Sequence, residues 1–393
     1  MSTASRSFGT TALVAISIFG LASCLRPAIT AIGPLLPDIN ATTGLSYGSL
    51  GLLGSLPLLL FAVVAPFAAI ALRYGGPAAV ARWMALTLVV GIVVRSVAGV
   101  PGLWVGTVLL AGAIAIGNVL VPVLVRRDYA RHAALASGAN ALVISTFAGL
   151  GSGLAIAFTD LTGDWRRTLL LWAVPPALVA GVWFLRREEP GETFLGPQPR
   201  RTSQLRSPVA WAVTGFMGLQ SLTFYLVVNW MPSIEISRGV ATEDAALHLL
   251  LYQLVGAPFG LIASWLLHRT GRYLMVTLGV SIPMLVGALG LVLTDGSALL
   301  WLLLAAPGSA GALAVALQLM AHHAVDARTA AGLSAMANAG GYLLAAVGPF
   351  AAGLLHEWTS SWTPALWVLV VAAVAQLIVA VGAAGPTPNA RTS

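Results

Sequence analysis

Long apolar stretches recur along the whole chain and constrain its fold more than any other feature. Read between breaks at proline, glycine and charged residues, the sequence holds twelve of them. They reach the ~18 residues with which a helix crosses the hydrocarbon core of a bilayer. They are continuously apolar and do not alternate with a period of two, which excludes a membrane β-barrel. The predicted spans cover residues 10–33, 46–70, 79–99, 103–125, 132–157, 166–185, 209–231, 246–267, 273–293, 298–321, 329–354 and 364–383.

Composition excludes a water-soluble fold. Of the 393 residues, 58% are hydrophobic and only 8% are charged, and the mean hydropathy is +0.90. A water-soluble domain carries roughly 25% charged residues, so this chain cannot cover a surface that faces water. We therefore predict an all-α membrane protein with twelve transmembrane helices. The first stretch is predicted to be a retained helix, because it is too long for a signal peptide and contains Arg26.

Arginines and acidic residues lie on opposite sides of this predicted topology. With the N-terminus inside, most arginines fall in cytoplasmic loops and span ends. This positive-inside pattern predicts a multi-pass protein of the cytoplasmic membrane with both termini in the cytoplasm. The predicted cytoplasmic arginines are Arg6, Arg73, Arg82, Arg126, Arg127, Arg131, Arg186, Arg187, Arg200, Arg201, Arg206, Arg269, Arg272, Arg328 and Arg391. The predicted outer acidic residues are Asp38, Asp160, Asp164, Glu235, Glu243, Asp244, Asp295 and Glu357.

A weak internal repeat divides the chain into two halves. The segment "ARHAALAS" at 130–137 parallels "ARTAAGLS" at 327–334, and "RYG" at 73–75 parallels "RTG" at 269–271, in matching loops. The longest polar interval, 186–208, lies between the halves and has the composition of a solvated linker. Repeats of this kind predict two pseudo-symmetric six-helix bundles. The predicted boundaries are 1–187 for the first bundle, 188–207 for the cytoplasmic linker and 208–393 for the second bundle.

The two Arg-x-Gly loops resemble the loop signature of the major facilitator superfamily, Gly-x-x-x-Asp-Arg-x-Gly-Arg. The sequence departs from the signature at Leu72 and His268, which occupy the positions of its acidic residue. The resemblance covers essentially the whole chain and implies a transporter of two six-helix bundles, in which these cytoplasmic loops belong to the gate. The gating residues that it indicates are Arg73, Gly75, Arg269, Gly271 and Arg272.

Arg26 is an arginine deep inside an apolar span. At ~1.5 Å per residue it lies ~22 Å from the cytoplasmic end of predicted span 1. A charge in the hydrocarbon costs ~2.5–3.5 kcal/mol on insertion scales. We expect Arg26 to face a central aqueous cavity and to meet an anionic or strongly dipolar ligand; the alternative is snorkelling toward the outer headgroups. For Arg95, in the outer third of predicted span 3, both interpretations stay open.

The acidic residues narrow the class of ligand. Every Asp and Glu falls in a loop or at a span end, so a basic substrate would find no buried carboxylate to offset its charge. A small anion or a neutral polar solute is favoured. The usual carboxylate relay for a coupling proton is missing as well. His322 and His323 are candidates for protonation, although their place at the cytoplasmic end of predicted span 10 favours an interfacial role.

Predicted span 7 carries the densest set of polar and aromatic residues. Gln220 and Tyr225 are predicted to face the cavity, whereas Trp230 is equally explained as an interfacial belt residue. The alternative for the polar side chains is interhelical hydrogen bonding. Further candidates for substrate binding are Asn229 in the same span, Tyr252 and Gln253 in span 8, and Asn118 and Gln318 in spans 4 and 10.

Two segments resemble one branch of the superfamily. "LRPAITAIGPLLPDI" (25–39) and "GLQSLTFYLVVNWMP" (218–232) are similar to the cyanate and 2-nitroimidazole transporter branch. The resemblance implies a small planar or linear substrate, anionic or nitro-bearing, which meets Arg26 with Gln220, Tyr225 and Trp230 nearby. An arginine with aromatic rings and amides independently suits a delocalised anion or a nitro group.

These observations predict a secondary transporter that moves a small anionic or nitro-bearing solute by alternating access, with a central site between helices 1, 4, 7 and 10. The alternative is a multidrug exporter of neutral lipophilic compounds. No nucleophile–base arrangement or metal-ligand spacing occurs, so we expect neither an enzyme nor a metal or cofactor. The expected partners are a small-molecule substrate and the lipid bilayer, with a coupling proton left open, no nucleic acid, and a monomeric state.

Overall fold

The computed structural model describes residues 8–186, 203–294 and 298–385. Within these ranges all regular structure is helical, and twelve segments are long and apolar enough to cross a membrane. This confirms the predicted all-α membrane fold and its number of spans. Numbered 1 to 12 in chain order, the spans are Ala12–Thr43, Tyr47–Val64, Ile70–Val97, Gly99–Asp128, Leu135–Gly153, Trp165–Leu185, Pro208–Ser237, Thr242–Thr270, Tyr273–Leu293, Ala298–His322, Arg328–Thr359 and Thr363–Ala383.

The helices do not match the spans one to one. Span 1 consists of Phe8–Cys24, Pro27–Thr30 and Ile32–Thr43, whereas spans 2 and 3 share one helical run, Tyr47–Val97, with a kink at Gly76. A short 3₁₀ helix, Ala130–His132, precedes span 5. The other helices are Gly99–Asp128, Ala133–Gly153, Ala155–Thr162, Trp165–Leu171, Val174–Leu185, Pro208–Ser237, Thr242–Thr270, Tyr273–Leu293, Ala298–His322, Ala327–Thr359 and Thr363–Ala383.

Span 1 is longer than predicted, because it continues to Thr43 and does not end near residue 33. The predicted end rested on Pro34 as a helix breaker. The last helix of the span begins at Ile32, so Pro34 lies in its first turn. A missing N–H at that position removes no helical hydrogen bond, and the proline is tolerated.

Side-chain caps fix the starts of two spans in the second half. The Ser207 hydroxyl accepts the N–H of Ala210 at 3.2 Å before span 7, and the Asp326 carboxylate accepts the N–H of Thr329 at 2.7 Å before span 11. Such caps satisfy N–H groups that have no partner in the first turn. The hydrogen bonds from Thr329 also hold the pKa of Asp326 below its ordinary value.

The two ends of the bundle differ in charge. We call the end at which span 1 begins the basic end and the opposite end the acidic end. Among the residues described, the basic end carries Arg73, Arg126, Arg127, Arg269 and Arg272, and the acidic end carries Asp38, Asp160, Glu235, Glu243 and Glu357. The positions Arg6, Arg187, Arg200, Arg201, Arg391 and Asp295, and linker residues 188–202, lie outside the described residues.

Two seams join spans 1–6 to spans 7–12, span 2 against span 11 and span 5 against span 8, and the last helix of span 1 also packs against span 7. In the first seam the Ser55 hydroxyl donates to the Ala346 carbonyl at 2.6 Å, and in the second the Gln253 amide donates to the Ser152 hydroxyl at 2.8 Å. Gly51 brings the backbones of the first seam close together, since a Cβ there would lie 2.5 Å from the Pro349 carbonyl oxygen. Helices that pack through small residues in this way approach closely.

The described contacts across the first seam continue to the acidic end. There the backbone N–H of Gly48 donates to the Glu357 carboxylate at 2.8 Å. The Tyr47 ring packs edge-on against His356, with ring centroids 4.4 Å apart, and against Trp362, with centroids 5.7 Å apart. These contacts join the start of span 2 to the end of span 11 and hold the two halves together at the acidic end.

Candidate substrate-binding site

Span 1 is interrupted at Arg26. Its first helix ends at Cys24 and helical structure resumes at Pro27, so Leu25 and Arg26 lie between two helices. Arg26 has φ −123° and ψ −38°, outside the helical range. Pro27 explains the interruption, because it lacks an N–H and its ring disfavours helical geometry in the residue before it. The interruption lies about halfway along the span, and broken helices of this kind form substrate sites in many transporters.

The Arg26 guanidinium joins the two halves of the molecule. Its Nη1 donates to the Tyr225 hydroxyl of span 7 at 2.6 Å. Its central carbon lies 5.7 Å from the centroid of the Phe61 ring of span 2, and Tyr342 of span 11 lies beside it. No carboxylate of the described residues forms an ion pair with Arg26. Its positive charge is therefore held by hydroxyl groups and aromatic faces, and by no carboxylate of the part of the chain that the structure describes.

A cavity of about 90 Å³ opens beside this guanidinium. Four predicted site residues line it: Arg26, Gln220, Tyr225 and Gln253. Prediction from the sequence missed the rest of the lining, which consists of Ile144, Ser145, Ala148, Ser221, Phe224, Ser309, Ala310, Leu313 and Tyr342. Ser221 and Phe224 lie within the span 7 motif and could have been included. Ser145 and Ser309 carry no signal, since serines are common in membrane spans and most bond to their own helix.

The two glutamines of the lining are oriented by hydrogen bonds. Gln220 donates from Nε2 to the Met217 carbonyl at 3.1 Å and to the Ser221 hydroxyl at 2.6 Å. Gln253 donates to Ser152 across the second seam, and its Oε1 is buried without a hydrogen-bond partner. A buried acceptor without a partner is costly. This oxygen can accept a hydrogen bond from a ligand in the cavity.

Three predicted residues of spans 7 and 8 do not line the cavity. The Trp230 indole donates to the Pro349 carbonyl at 2.8 Å and packs on Trp362, so it lies fully buried in the contact near the acidic end. The Asn229 amide donates to the carbonyl of Tyr225, four residues earlier, at 2.8 Å. The Tyr252 ring stacks at 6.5 Å behind Phe224, which itself lines the cavity. Tyr252 and Asn229 therefore contact residues of the lining and do not form its surface.

Arg95 of span 3 contacts the backbone of span 1 just after the interruption. It is 2% exposed, and its Nη1 donates at 2.6 Å to the carbonyl of Ala28 in the short helix Pro27–Thr30. Its Nε and Nη2 have no hydrogen-bond partner. Arg95 therefore does not snorkel, and it supports the segment that presents Arg26. The other two predicted residues lie outside the cavity lining: Asn118 is half-buried and Gln318 is exposed.

The predicted gating residues lie in the loops at the basic end. Gly271 ends span 8 with φ +61°, a left-handed conformation that favours glycine. In the matching loop the left-handed glycine is Gly76, one residue after Gly75. Arg73 and Arg269 lie over the rings of Tyr74 and Trp265, and Arg272 approaches the Met275 sulfur at 3.8 Å. The described residues give these arginines no carboxylate partner.

Comparison with known proteins decides the family. The model of the Major Facilitator Superfamily matches residues 18–349. The chain belongs to this superfamily. The D-xylose-proton symporter has the same fold, with a TM-score of 0.75 at 14% identity and coverage of 98% of this chain and 99% of that chain. A bacterial homologue of the lysosomal transporter Spinster, in an inward-facing and unoccupied conformation, gives a TM-score of 0.74 at 18% identity, with 97% of each chain covered.

Curated relatives agree with the narrower resemblance. The 2-nitroimidazole transporter of Escherichia coli is 35% identical over 351 residues, covering 88% of each chain. The uncharacterized transporter YycB of Bacillus subtilis is 34% identical over 375 residues, covering 94% of this chain and 91% of the relative. The cyanate transport protein CynX of Escherichia coli is 25% identical over 355 residues, covering 86% and 88%. The chain is thus a multi-pass membrane transporter of this branch of the superfamily.

Proposed function

We propose that this transporter carries a small anionic or nitro-bearing solute, of the size of cyanate or 2-nitroimidazole, in the cavity beside Arg26. The observation that carries the proposal is the Arg26 guanidinium at 2.6 Å from the Tyr225 hydroxyl, in a cavity without a carboxylate counter-charge among the described residues. A planar guanidinium with aromatic neighbours suits a flat anion or a nitro group. The relatives named as transporters of 2-nitroimidazole and cyanate support the same class of substrate.

The size of the cavity favours a small solute over a lipophilic drug. Its volume is about 90 Å³. Sites for drug-sized ligands measure roughly 300–1,000 Å³. Of the two predicted functions, carrier of a small polar solute and exporter of neutral lipophilic compounds, the first is therefore our proposal.

The proposed cycle is alternating access by rocking of two bundles, 1–187 and 208–393, around the cavity. Arg26 and Tyr225 lie on opposite bundles, so a solute bound between them contacts both. Contacts at the acidic end, such as the one between Gly48 and Glu357, support a conformation closed on that side. Following the positive-inside rule, the basic end is proposed to face the cytoplasm. The proposed carrier is monomeric and is not an enzyme.

Binding by purified protein in detergent tests this function. Thermal stabilisation is measured with cyanate, nitrate, 2-nitroimidazole and chloramphenicol, the last as a neutral lipophilic compound. We expect cyanate or 2-nitroimidazole to stabilise the wild type and R26A to lose the effect. A hydrogen bond to a charged group contributes ~1.5–3 kcal/mol, so affinity should fall at least about tenfold. The control is R167A, which removes an exposed arginine of span 6. Binding of chloramphenicol alone, or binding unaffected by R26A, would support the exporter instead.

A further inference from the structure

A buried carboxylate lies outside the cavity, between the ends of spans 7 and 8. The Glu235 side chain is 0% exposed, and its Oε1 lies 2.6 Å from Nδ1 of His248, whose side chain is 17% exposed. The second oxygen, Oε2, is buried and has no hydrogen-bond partner. A fully buried carboxylate with one partnered and one unpartnered oxygen is poorly compensated as an anion. The free oxygen of Glu235 is therefore placed to accept a proton.

The His248 side chain is the exposed part of this pair, at 17% against 0% for Glu235. Asp244, one helical turn earlier in span 8, is exposed, and residues four apart share a face of a helix. The charged or titratable groups that act on Glu235 among the described residues are His248, Arg238 and Asp244. Arg238 donates to the Leu291 carbonyl at 2.9 Å, which leads its guanidinium toward the end of span 9. Of these groups, His248 alone contacts the carboxylate directly.

The pair lies between the acidic end and the cavity. Glu235 follows Tyr225 by ten residues in span 7, and His248 precedes Gln253 by five residues in span 8. At ~1.5 Å per residue these separations are ~15 Å and ~7.5 Å. Both spans also contact the first half: Tyr225 through Arg26, and Leu250 of span 8 against Gly149 and Gly153 of span 5. A rearrangement of the two halves therefore acts on the two helices that form the pair.

We infer that the Glu235–His248 pair is the site at which the transporter binds a coupling proton. The inference rests on the proposed function and adds to it the class of co-transported ion. The proton enters from water at the acidic end, is held by the Glu235 carboxylate beside the imidazole, and leaves through the cavity toward the basic end when the halves rearrange. One proton carried with one monoanion moves no net charge. Among the other candidates, His323 Nε2 lies 2.8 Å from a backbone carbonyl, and it lies with His322 at the basic end, away from the cavity.

Uptake by proteoliposomes tests the inference, with ¹⁴C-cyanate and, separately, ³H-2-nitroimidazole as probes. Two measurements are compared. The first is accumulation of the probe driven by an imposed pH gradient. The second is counterflow of the probe with equal pH on both sides, which requires movement of the carrier but no driving ion. We expect E235Q to keep counterflow and to lose gradient-driven accumulation, because the amide preserves shape and one hydrogen bond but does not titrate. The matched control is E243Q, an exposed carboxylate in the first turn of span 8, which should behave as wild type.

A second variant keeps the test decisive if E235Q does not fold. H248N retains a polar side chain beside Glu235 and removes the imidazole that contacts its carboxylate at 2.6 Å, so we expect it to shift the pH dependence of accumulation without loss of counterflow. Gradient-driven accumulation by E235Q at the wild-type level, wild-type counterflow without any accumulation driven by the pH gradient, or an unchanged pH dependence in H248N overturns the inference. Absence of wild-type counterflow with both probes overturns the proposed function instead.

Discussion

The residues that surround Arg26 in the structure lie far from it in the sequence. An arginine in the hydrocarbon is costly, and here the cost is offset by the Tyr225 hydroxyl, by the Phe61 ring at 5.7 Å and by access to a cavity. The sequence identifies Arg26 because charge is so rare in the spans. It does not identify Phe61 or Tyr342, because an aromatic residue in an apolar span is usually packed against lipid or other helices.

The same limit applies to Glu235. Its position at the end of a span is the reason that the sequence suggests a solvated carboxylate. In the structure it is fully buried, and its partner His248 lies on the next span. Hydropathy along a chain does not report burial between helices, so a pair formed by the ends of two adjacent spans was not predictable from the pattern.

At this scale we predict the effect of Y225F. The variant removes the hydroxyl that accepts a hydrogen bond from Arg26, and a bond to a charged group contributes ~1.5–3 kcal/mol. We expect a lower temperature of unfolding in detergent and weaker binding of cyanate. The control, Y74F, removes the hydroxyl of a tyrosine that is 81% exposed. Equal unfolding temperatures for Y225F, Y74F and the wild type would contradict the role of this bond.

At the level of helices, the sequence predicts which stretches cross the membrane. It does not predict how each span is divided into helices. Twelve spans follow from apolar length alone, and all twelve are present. Span 1 is interrupted at Arg26, which precedes Pro27, but it continues past Pro34, which lies in the first turn of a helix. The effect of each proline therefore depends on its place in the helix. Arg95 adds a tertiary cause, since it bonds to the carbonyl of Ala28 and supports the segment after the interruption. The short motifs that repeat between the two halves of the sequence indicate neither the interruption of span 1 nor its support by Arg95.

The seam between spans 2 and 11 makes a prediction about a single glycine. In G51A the new methyl group would lie 2.5 Å from the Pro349 carbonyl oxygen, so the helices must separate. Overpacking of this kind costs ~1–3 kcal/mol, and we expect G51A to unfold at a lower temperature than the wild type. In G112A, the matched control, the methyl group meets nothing within 4 Å. A G51A protein as stable as G112A would show that the seam is loosely packed.

At the level of the whole molecule, the two halves are held together most clearly at the acidic end. The Glu357 carboxylate accepts the N–H of Gly48 in the first turn of span 2, where a negative charge is favoured by the helix dipole. We propose that the same contact helps to close that end over the cavity. Its loss should favour the conformation that is open on the acidic side.

The variant E357A tests this contact. We expect it to speed the reaction of a cysteine placed in the cavity, S221C in a C24S background, with a membrane-impermeant thiol reagent added from the acidic-end side. Intact cells and inside-out vesicles are labelled separately, so that the two faces are compared. E243A, which removes another exposed carboxylate at the same end, serves as the control. Labelling that E357A leaves unchanged on both faces would mean that other contacts, such as those of Tyr47, suffice.

The unpaired charge of Arg26 has a consequence for any assay of this protein. We expect small anions from a salt solution to enter this cavity, because its guanidinium has no carboxylate partner among the described residues. Chloride is the most abundant small monoanion in ordinary buffers, and we expect it to compete with the proposed solute for the guanidinium. Apparent affinity will then fall as chloride rises, whereas gluconate, too large for the cavity, will have little effect. Binding constants for this transporter can therefore be compared between experiments only when the halide concentration is stated.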